Sequence, residues 1–316
     1  MISLDDVLAA REAIAGRVYR TPTFPSRTLG ERIGARAFLK AELFQKTGSF
    51  KPRGVLARLA SLGSEERARG VVTWSAGNAA QAVAYGAALE GIGARVFMWR
   101  GANPRKVAAT RGYGAAVDLE AEGPAAAHER LLAYVEESGS TFVHPFDDPV
   151  LQAGHGSVGL EIVEDVPEVD TIVVPVGGGG LISGIATAVD CRVVGVEPEG
   201  SPALTAALAA GAVVRVESRT IADGLGAPFT GENALAVCRA RVDEVVLVSE
   251  EEIEAGMRFL YGRAKLACEP AGAAGVAALL AGKVALEPGS TVAAVVSGGN
   301  ADPQIAAAIL ARPDEG

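Results

Sequence analysis

The sequence predicts an α/β protein built on largely parallel sheets. Short apolar strands alternate with helical segments between residues 70 and 143, and the same rhythm returns between residues 171 and 197. Strands that alternate with helices form βαβ units, in which the strands run parallel. The strand sequences TIVVPV (171–176) and VAAVV (292–296) are apolar throughout, which is typical of a sheet that helices cover on both faces.

The first half of the chain opens with a helix signal. Ser3 followed by Asp6 forms a capping-box pattern ahead of an apolar face. Residues 37–43 then have strand character, and a polar, glycine-containing stretch leads into a helix that ends near Leu62. The alternating series that follows predicts strands at 70–74, 94–99, 115–119 and 141–143, and helices at 78–89, 104–111 and 125–136.

The second half repeats this rhythm after a break at residues 145–149, which begin and end with proline. With about 150 residues per domain as a guide, a chain of 316 residues suggests two domains, and the break is the best candidate boundary. Ligands of open α/β sheets bind beyond the carboxyl ends of the strands, so the loops there are the candidate sites. The second half predicts strands at 171–176, 192–197, 244–248 and 291–296, and helices at 181–189, 250–266 and 271–280.

Charge and cysteine content exclude several classes of protein. The chain has 29 basic and 38 acidic side chains and a net charge of −9, without a basic stripe, which argues against nucleic acid or a membrane surface as a partner. The three cysteines are widely spaced, so no disulfide framework or zinc knuckle is indicated. The N-terminus lacks the features of a signal peptide, and we expect a cytoplasmic protein. Pro175 and a glycine run interrupt the uncharged stretch 171–189, which favours a buried strand, loop and helix over a membrane span.

Two loops in the first half carry candidate chemistry. In KTGSFKPRG (46–54), Lys51 lies just before a helix, whose positive N-terminus disfavours a second positive charge. A lysine in that place can have a lowered pKa, which suits covalent attachment to a carbonyl, although taken alone it is more often an ordinary solvated lysine. In SAGNA (75–79), small residues expose backbone N–H groups at a helix N-terminus, which is a site for a carboxylate or phosphate or simply a tight turn.

Two glycine-containing loops in the second half of the chain are further candidate sites. Residues 177–180 are four glycines between a strand and a helix, so several N–H groups can converge on one anion. The dinucleotide pattern would need glycine at Ile182 or Ser183. However, Glu197 ends the next strand where a ribose-binding acid would lie, which keeps a dinucleotide site open as an alternative. The loop SGGN (297–300) follows the last strong strand and is unremarkable alone.

Taken together and in order, these segments resemble the fold-type II pyridoxal-phosphate enzymes, within the serine/threonine dehydratase and serine racemase family. The resemblance extends through most of the chain and includes eight segments. They are KAELFQKTGSFKPRG (40–54), SAGNAAQAVAYGA (75–87), HPFDDPVLQAGHGSVGLEI (144–162), PVGGGGLISG (175–184), GVEP (195–198), IADGL (221–225), EPAGAAG (269–275) and SGGN (297–300).

The resemblance implies a role for each loop. Lys51 would be the Schiff-base lysine, with Phe50 beside the cofactor ring, and Asn78 would bond the ring hydroxyl. Ser297 would face the pyridine nitrogen, with Glu269 nearby. The phosphate would lie on Gly177, Gly178, Gly179 and Gly180, and the substrate carboxylate on Ser75, Ala76, Gly77, Asn78 and Ala79.

The sequence departs from the family pattern at several positions. Ala79 replaces the usual histidine, His155 stands where glutamine is common and Trp99 where proline is common. These changes indicate either a different substrate or neutral drift around an unchanged site. Racemase-type members carry a serine where this chain has Ala76, which favours elimination. Relatives with a divalent-metal site (Mg or Ca) match at Glu197 and Ser201, but Ala203 replaces the third ligand, an acid, so we doubt a metal there.

The resemblance therefore implies a tryptophan synthase beta-like fold of two open-sheet α/β domains. We expect a small domain, residues 68–147, inserted into a large pyridoxal-phosphate domain, residues 1–67 plus 148–316. The expected reaction is elimination of water from a β-hydroxy amino acid, giving a 2-oxo acid and ammonia. An amino-acid racemase and a non-catalytic relative stay open as alternatives. We also expect a homodimer, and no regulatory domain after the SGGN loop.

Overall fold

The computed structural model describes residues 1–312, in which ten strands form two separate sheets. The larger sheet has six strands in the order β1-β2-β10-β7-β8-β9. All neighbours in it run parallel except β1, which pairs antiparallel with β2 at the edge. Its strands are β1 (Thr23–Pro25), β2 (Arg36–Ala41), β7 (Thr171–Pro175), β8 (Arg192–Pro198), β9 (Glu244–Val248) and β10 (Thr291–Val296).

The smaller sheet is entirely parallel and has the order β5-β4-β3-β6. Its strands are β3 (Val71–Trp74), β4 (Ala94–Trp99), β5 (Ala116–Ala121) and β6 (Thr141–Phe142). The chain enters this sheet after β2 of the larger sheet and returns to the larger sheet at β7. Two α/β units, one within the other, confirm the predicted fold class. The limits 68–147 for the inserted domain stay a prediction, which the span of the four strands supports.

Fourteen α-helices flank the two sheets within the described residues. None of them is both long and apolar enough to cross a bilayer. The helices are α1 (Leu4–Ala13), α2 (Arg27–Ile33), α3 (Lys51–Ala60), α4 (Ser64–Arg69), α5 (Asn78–Glu90), α6 (Pro104–Gly112), α7 (Pro124–Ser138), α8 (Pro149–Asp165), α9 (Gly180–Ala188), α10 (Ala203–Ala210), α11 (Glu232–Arg241), α12 (Glu250–Phe259), α13 (Pro270–Leu280) and α14 (Pro303–Leu310).

The observed elements agree with the predicted ones most closely in the buried strands. Strands β4, β9 and β10 have the predicted bounds, and the capping box at Ser3 is present. The prediction of one helix over 250–266 is wrong, because α12 ends at Phe259 and a π-helical turn, Leu260–Ala264, follows it. The sequence analysis also missed α8, the longest helix described, because its three glycines are poor helix formers.

Glycine allows α8 to touch two neighbouring helices backbone to backbone. A Cβ at Gly154 would lie 2.5 Å from the carbonyl oxygen of Arg53 on α3, and one at Gly184 of α9 would lie 2.2 Å from the carbonyl oxygen of Gln152. Real Cβ atoms do not approach so closely, so no larger residue fits without moving a helix. This contact fixes α3 and α9, whose N-termini carry Lys51 and the glycine loop.

A buried ionic cluster fixes α3 from its other side. The Arg53 guanidinium donates to Glu42 at 2.8 Å and to Glu161 at 2.7 Å, and all three side chains are buried. Lys40, also buried, donates to the Thr21 carbonyl oxygen at 2.8 Å and lies 2.7 Å from Glu161. Two cations and two carboxylates thus balance each other. Such a cluster is sensitive to the loss of a single member.

The helix contact leads to a prediction about stability. Gly184→Ala should lower the free energy of unfolding by about 1–3 kcal/mol, because the added methyl group forces α8 and α9 apart. Thermal unfolding of the purified variant should show a melting temperature several degrees below that of the parent. Gly112→Ala is the matched control, since nothing lies within 4 Å of a Cβ there. Equal melting temperatures for the two variants would contradict this account.

Candidate functional site

A cavity of about 520 Å³ opens where the carboxyl ends of strands from both sheets meet. Loops that follow β3 and β4 of the smaller sheet line one side, and loops that follow β7 and β10 of the larger sheet line the other. Its volume suits a small ligand. The cavity brings together all thirteen residues assigned above to cofactor or substrate, namely Phe50, Lys51, Ser75, Ala76, Gly77, Asn78, Ala79, Gly177, Gly178, Gly179, Gly180, Glu269 and Ser297.

Backbone contacts with the SGGN loop hold the segment that carries Lys51. The Phe50 N–H donates to the Ser297 carbonyl oxygen at 3.1 Å, and Gly299 donates to Gly48 at 2.9 Å. Thr47 adopts a left-handed conformation with φ of 61°, which is rare for a β-branched residue. The Asn300 amide donates to the Thr47 carbonyl oxygen at 2.7 Å and so supports this conformation.

The Lys51 amine is the chemically distinctive group of the cavity. It donates to the Pro145 carbonyl oxygen at 2.7 Å, and the ion pairs found in residues 1–312 include none for it. Burial lowers the pKa of Lys51 to about 8, because a charged amine loses its hydration there. Near neutral pH the neutral amine that a nucleophile or base requires is therefore far more abundant than it would be for a solvated lysine.

The glycine loop lies at the N-terminus of α9, whose first-turn N–H groups have no partner within the helix. The places that side chains would take are filled: a Cβ at Gly178 would lie 2.3 Å from the Phe146 ring, and one at Gly179 would lie 2.7 Å from the Ala234 Cβ. Gly179 also has φ of +91°, which favours glycine. Tight packing behind the loop and an open backbone towards the cavity thus both depend on glycine.

Asn78 and Glu269 join the two sides of the cavity. The Asn78 amide donates to Glu269 at 2.7 Å, and the Asn300 amide donates to the Asn78 side-chain oxygen at 2.8 Å. Burial raises the pKa of Glu269 to about 7, and the charge of Asp223 adds to that effect, while Lys106 and the hydrogen bond from Asn78 oppose it. Glu269 is therefore partly protonated at neutral pH.

The sequence analysis assigned no role to two charged residues of the cavity. Lys106, near the N-terminus of α6, and Asp223, in a short 3-10 helix (Asp223–Leu225), both line it and form an ion pair across it. Asp223 lies within the IADGL segment quoted above, whereas no local pattern distinguishes Lys106. Phe146 and Trp74 are further lining residues that were not singled out.

Two histidines, His155 and His128, pack against aromatic residues that line the cavity. His155 is fully buried, and its ring lies 4.7 Å from that of Phe50. Burial and the nearby charge of Lys51 hold the pKa of His155 well below its ordinary value, so the ring is neutral. His128 is half-buried, and its ring packs 4.9 Å from that of Trp74, which lines the cavity.

The residues matched to a metal site have other partners. The Glu197 carboxylate accepts hydrogen bonds from the backbone N–H groups of Leu204 at 2.7 Å and Thr205 at 2.8 Å, and so caps α10. Residues 1–312 contain no cluster of three or more acidic, histidine or cysteine side chains that could hold a metal ion. The Ser201 hydroxyl contacts the Leu225 carbonyl oxygen at 3.4 Å. The site at Glu197 and Ser201 stays a doubtful prediction.

The residues that line the cavity fit pyridoxal phosphate. A buried amine with a lowered pKa can bind the aldehyde carbon, and the N-terminus of α9 can hold the phosphate. The Thr230 hydroxyl, buried and without a hydrogen-bond partner among the described residues, lies behind the same loop. Asn78 and Ser297 supply uncharged polar groups for the ring. This donor set matches the cofactor in charge and shape.

Comparison with known proteins agrees with this fit rather than with a dinucleotide. A family model described as pyridoxal-phosphate dependent enzyme matches residues 14–298. An L-threonine ammonia-lyase of Thermotoga maritima is 46% identical over 308 residues, which cover 96% of this chain and 76% of the relative. Maize serine racemase has a TM-score of 0.92 at 37% identity, covering 96% of this chain and 95% of its own. The solved threonine deaminase of T.th. has a TM-score of 0.89 at 40% identity, and the match covers 95% of this chain and 99% of that chain. The chain belongs to the pyridoxal-phosphate dependent enzymes.

Proposed function

We propose that this protein is an ammonia-lyase that eliminates water from L-threonine or L-serine and releases a 2-oxo acid and ammonia. The observation that carries the proposal is the Lys51 amine, which burial keeps partly neutral in a cavity shared with the glycine loop. The names of the relatives, an L-threonine ammonia-lyase and a threonine deaminase, support this reaction. The bound cofactor supplies an electron sink for the charge that develops at the substrate α-carbon.

Lys51 has two tasks in this proposal. Its neutral amine attaches the cofactor covalently, and, once freed by the substrate amine, its Nζ accepts the α-proton. Desolvation serves both tasks, since a solvated lysine is almost fully protonated at neutral pH. The hydrogen bond from Nζ to the Pro145 carbonyl oxygen, 2.7 Å long, fixes the position of the amine.

The other cavity residues hold the ring and the substrate. We assign the ring hydroxyl to Asn78, the ring nitrogen to Ser297 and the phosphate to the glycine loop. The substrate carboxylate is assigned to residues 75–79, which lead into the N-terminus of α5. Serine does not enforce a protonated pyridine as a carboxylate would, and this favours prompt loss of the β-hydroxyl group.

Ala76 distinguishes elimination from racemisation. Racemisation needs a second acid/base on the opposite face of the substrate, and the alanine methyl group at this place in the cavity wall carries no proton to exchange. Incubation in deuterated water would detect a racemase as labelled enantiomer, whereas elimination gives the keto acid. A protein that binds no cofactor would support the non-catalytic alternative.

The expectations of a homodimer and of a cytoplasmic location belong to the same proposal. Family resemblance supports the dimer. The three cysteines Cys191, Cys238 and Cys268 are all free thiols, which supports a reducing compartment.

Replacement of Lys51 tests the central assignment. Lys51→Ala should abolish the covalent cofactor that borohydride reduction traps, because the other lysine of the cavity, Lys106, is held as a cation by its ion pair with Asp223. Mass spectrometry of the reduced protein measures the adduct. Lys46→Ala, which removes a half-buried lysine five residues earlier that does not line the cavity, is the matched control and should retain the adduct. An adduct of full yield in Lys51→Ala would overturn the assignment.

The lowered pKa of Lys51 predicts how cofactor loading depends on pH. With a pKa of about 8, about one amine in ten is neutral at pH 7 and about nine in ten at pH 9. The rate at which added pyridoxal phosphate is bound covalently by the apoenzyme should therefore rise about tenfold over this interval, as measured by absorbance. Reaction of the cofactor with α-N-acetyl-lysine corrects for ionisation of the cofactor itself. A rise centred near 10.5, the ordinary pKa of lysine, would contradict the prediction.

A further inference from the structure

The cavity holds two charged side chains that the proposed reaction does not use. Its lining contains four charged residues of the described chain, of which Lys51 and Glu269 lie at the cofactor. The other two are Lys106 and Asp223, which form an ion pair with each other. The Lys106 side chain is only 12% exposed, whereas that of Asp223 is 62% exposed. The cation is therefore in the wall of the cavity, with its partner on the side of the solvent.

The pair lies close to the reacting end of the cavity. A Cβ at Gly224, the neighbour of Asp223, would be 3.6 Å from Oε1 of Glu269. The charges of both Lys106 and Asp223 influence the pKa of Glu269, in opposite directions. Because the two charges offset each other, this part of the cavity lining presents little net charge to a bound amino acid.

We propose that Asp223 is a specificity-determining residue, which by pairing with Lys106 restricts the enzyme to amino acids with uncharged side chains. The inference rests on the proposed function and extends it to the choice of substrate. A second carboxylate on an amino acid that approaches Lys106 meets the like charge of Asp223 and competes with it for the same ammonium group. If Asp223 were neutral, Lys106 would be left as an unpaired, largely buried cation, which is unfavourable. A second carboxylate on the substrate would then replace the missing partner.

The test uses the holoenzyme and two amino acids that have no β-leaving group. L-Aspartate carries a second carboxylate, and L-2-aminobutyrate has an uncharged side chain of similar length. Binding is measured as the change in cofactor absorbance. Asp223→Asn should raise the affinity for L-aspartate relative to L-2-aminobutyrate by about ten- to hundredfold, the effect of one charge-assisted hydrogen bond. Elimination from 3-hydroxyaspartate relative to threonine, as kcat/KM, should change in the same direction.

Two further variants test whether a gain in affinity for L-aspartate comes from the free charge of Lys106 or from a displacement of helix α6. In Lys106→Gln/Asp223→Asn, the gain for L-aspartate should disappear, since its proposed partner is absent. Asp302→Asn is the matched control. Asp302 accepts a hydrogen bond from Asn103 at the start of α6, at 2.8 Å, but does not line the cavity. This variant should leave the relative affinity unchanged.

The outcomes distinguish this inference from the proposed function. A relative affinity for L-aspartate that is unchanged in Asp223→Asn, or a gain that persists without Lys106, overturns the specificity role. If the parent enzyme releases no keto acid from threonine, the proposed reaction is overturned, but the comparison of binding affinities stays valid. Asp223→Ser provides a second neutral variant, should the asparagine variant fold poorly.

Discussion

The buried guanidinium of Arg53 is the interaction on which the site depends. It lies two residues after Lys51 on the same helix and bridges Glu42, from the segment after β2, to Glu161 on α8. A charge without water must be matched closely by opposite charge, and here the two carboxylates and Lys40 complete a balanced set. Because the cluster determines where α3 begins relative to the larger sheet, it also determines where the Lys51 amine lies in the cavity.

Local patterns in the sequence predicted the sheets and the four loops that carry Lys51, residues 75–79, the four glycines and Ser297 to the cavity. Buried strands such as β10 have uninterrupted apolar sequences, and their loops carry glycine or small polar residues for reasons that are local. The helix α8 could not be predicted in this way. It is buried on nearly every side, so it lacks an apolar stripe, and its glycines are explained only by the helices α3 and α9 that lie against it.

The parts of the site that the sequence did not reveal are pairs of residues far apart in the chain. Lys106 and Asp223 are separated by 117 positions, and Asn78 and Glu269 by 191. Each residue alone is an ordinary polar side chain. The partners come together only because the smaller α/β unit folds against the larger one. The shared pKa effects at Glu269 have the same origin, since they require three separate segments to converge.

The contacts between helices at glycine positions differ in kind from the bonds that join the two sides of the cavity. Helices α3, α8 and α9 touch through backbone atoms at glycine positions, and such contacts cannot lengthen without opening a void. The two sides of the cavity are joined by side-chain bonds between distant segments, from Asn78 to Glu269, from Asn103 to Asp302 and from Lys106 to Asp223. Water can replace each of these bonds at a net cost of about 1 to 3 kcal/mol. We therefore expect a relative movement of the two sides of the cavity to break these side-chain bonds and to leave the glycine contacts intact.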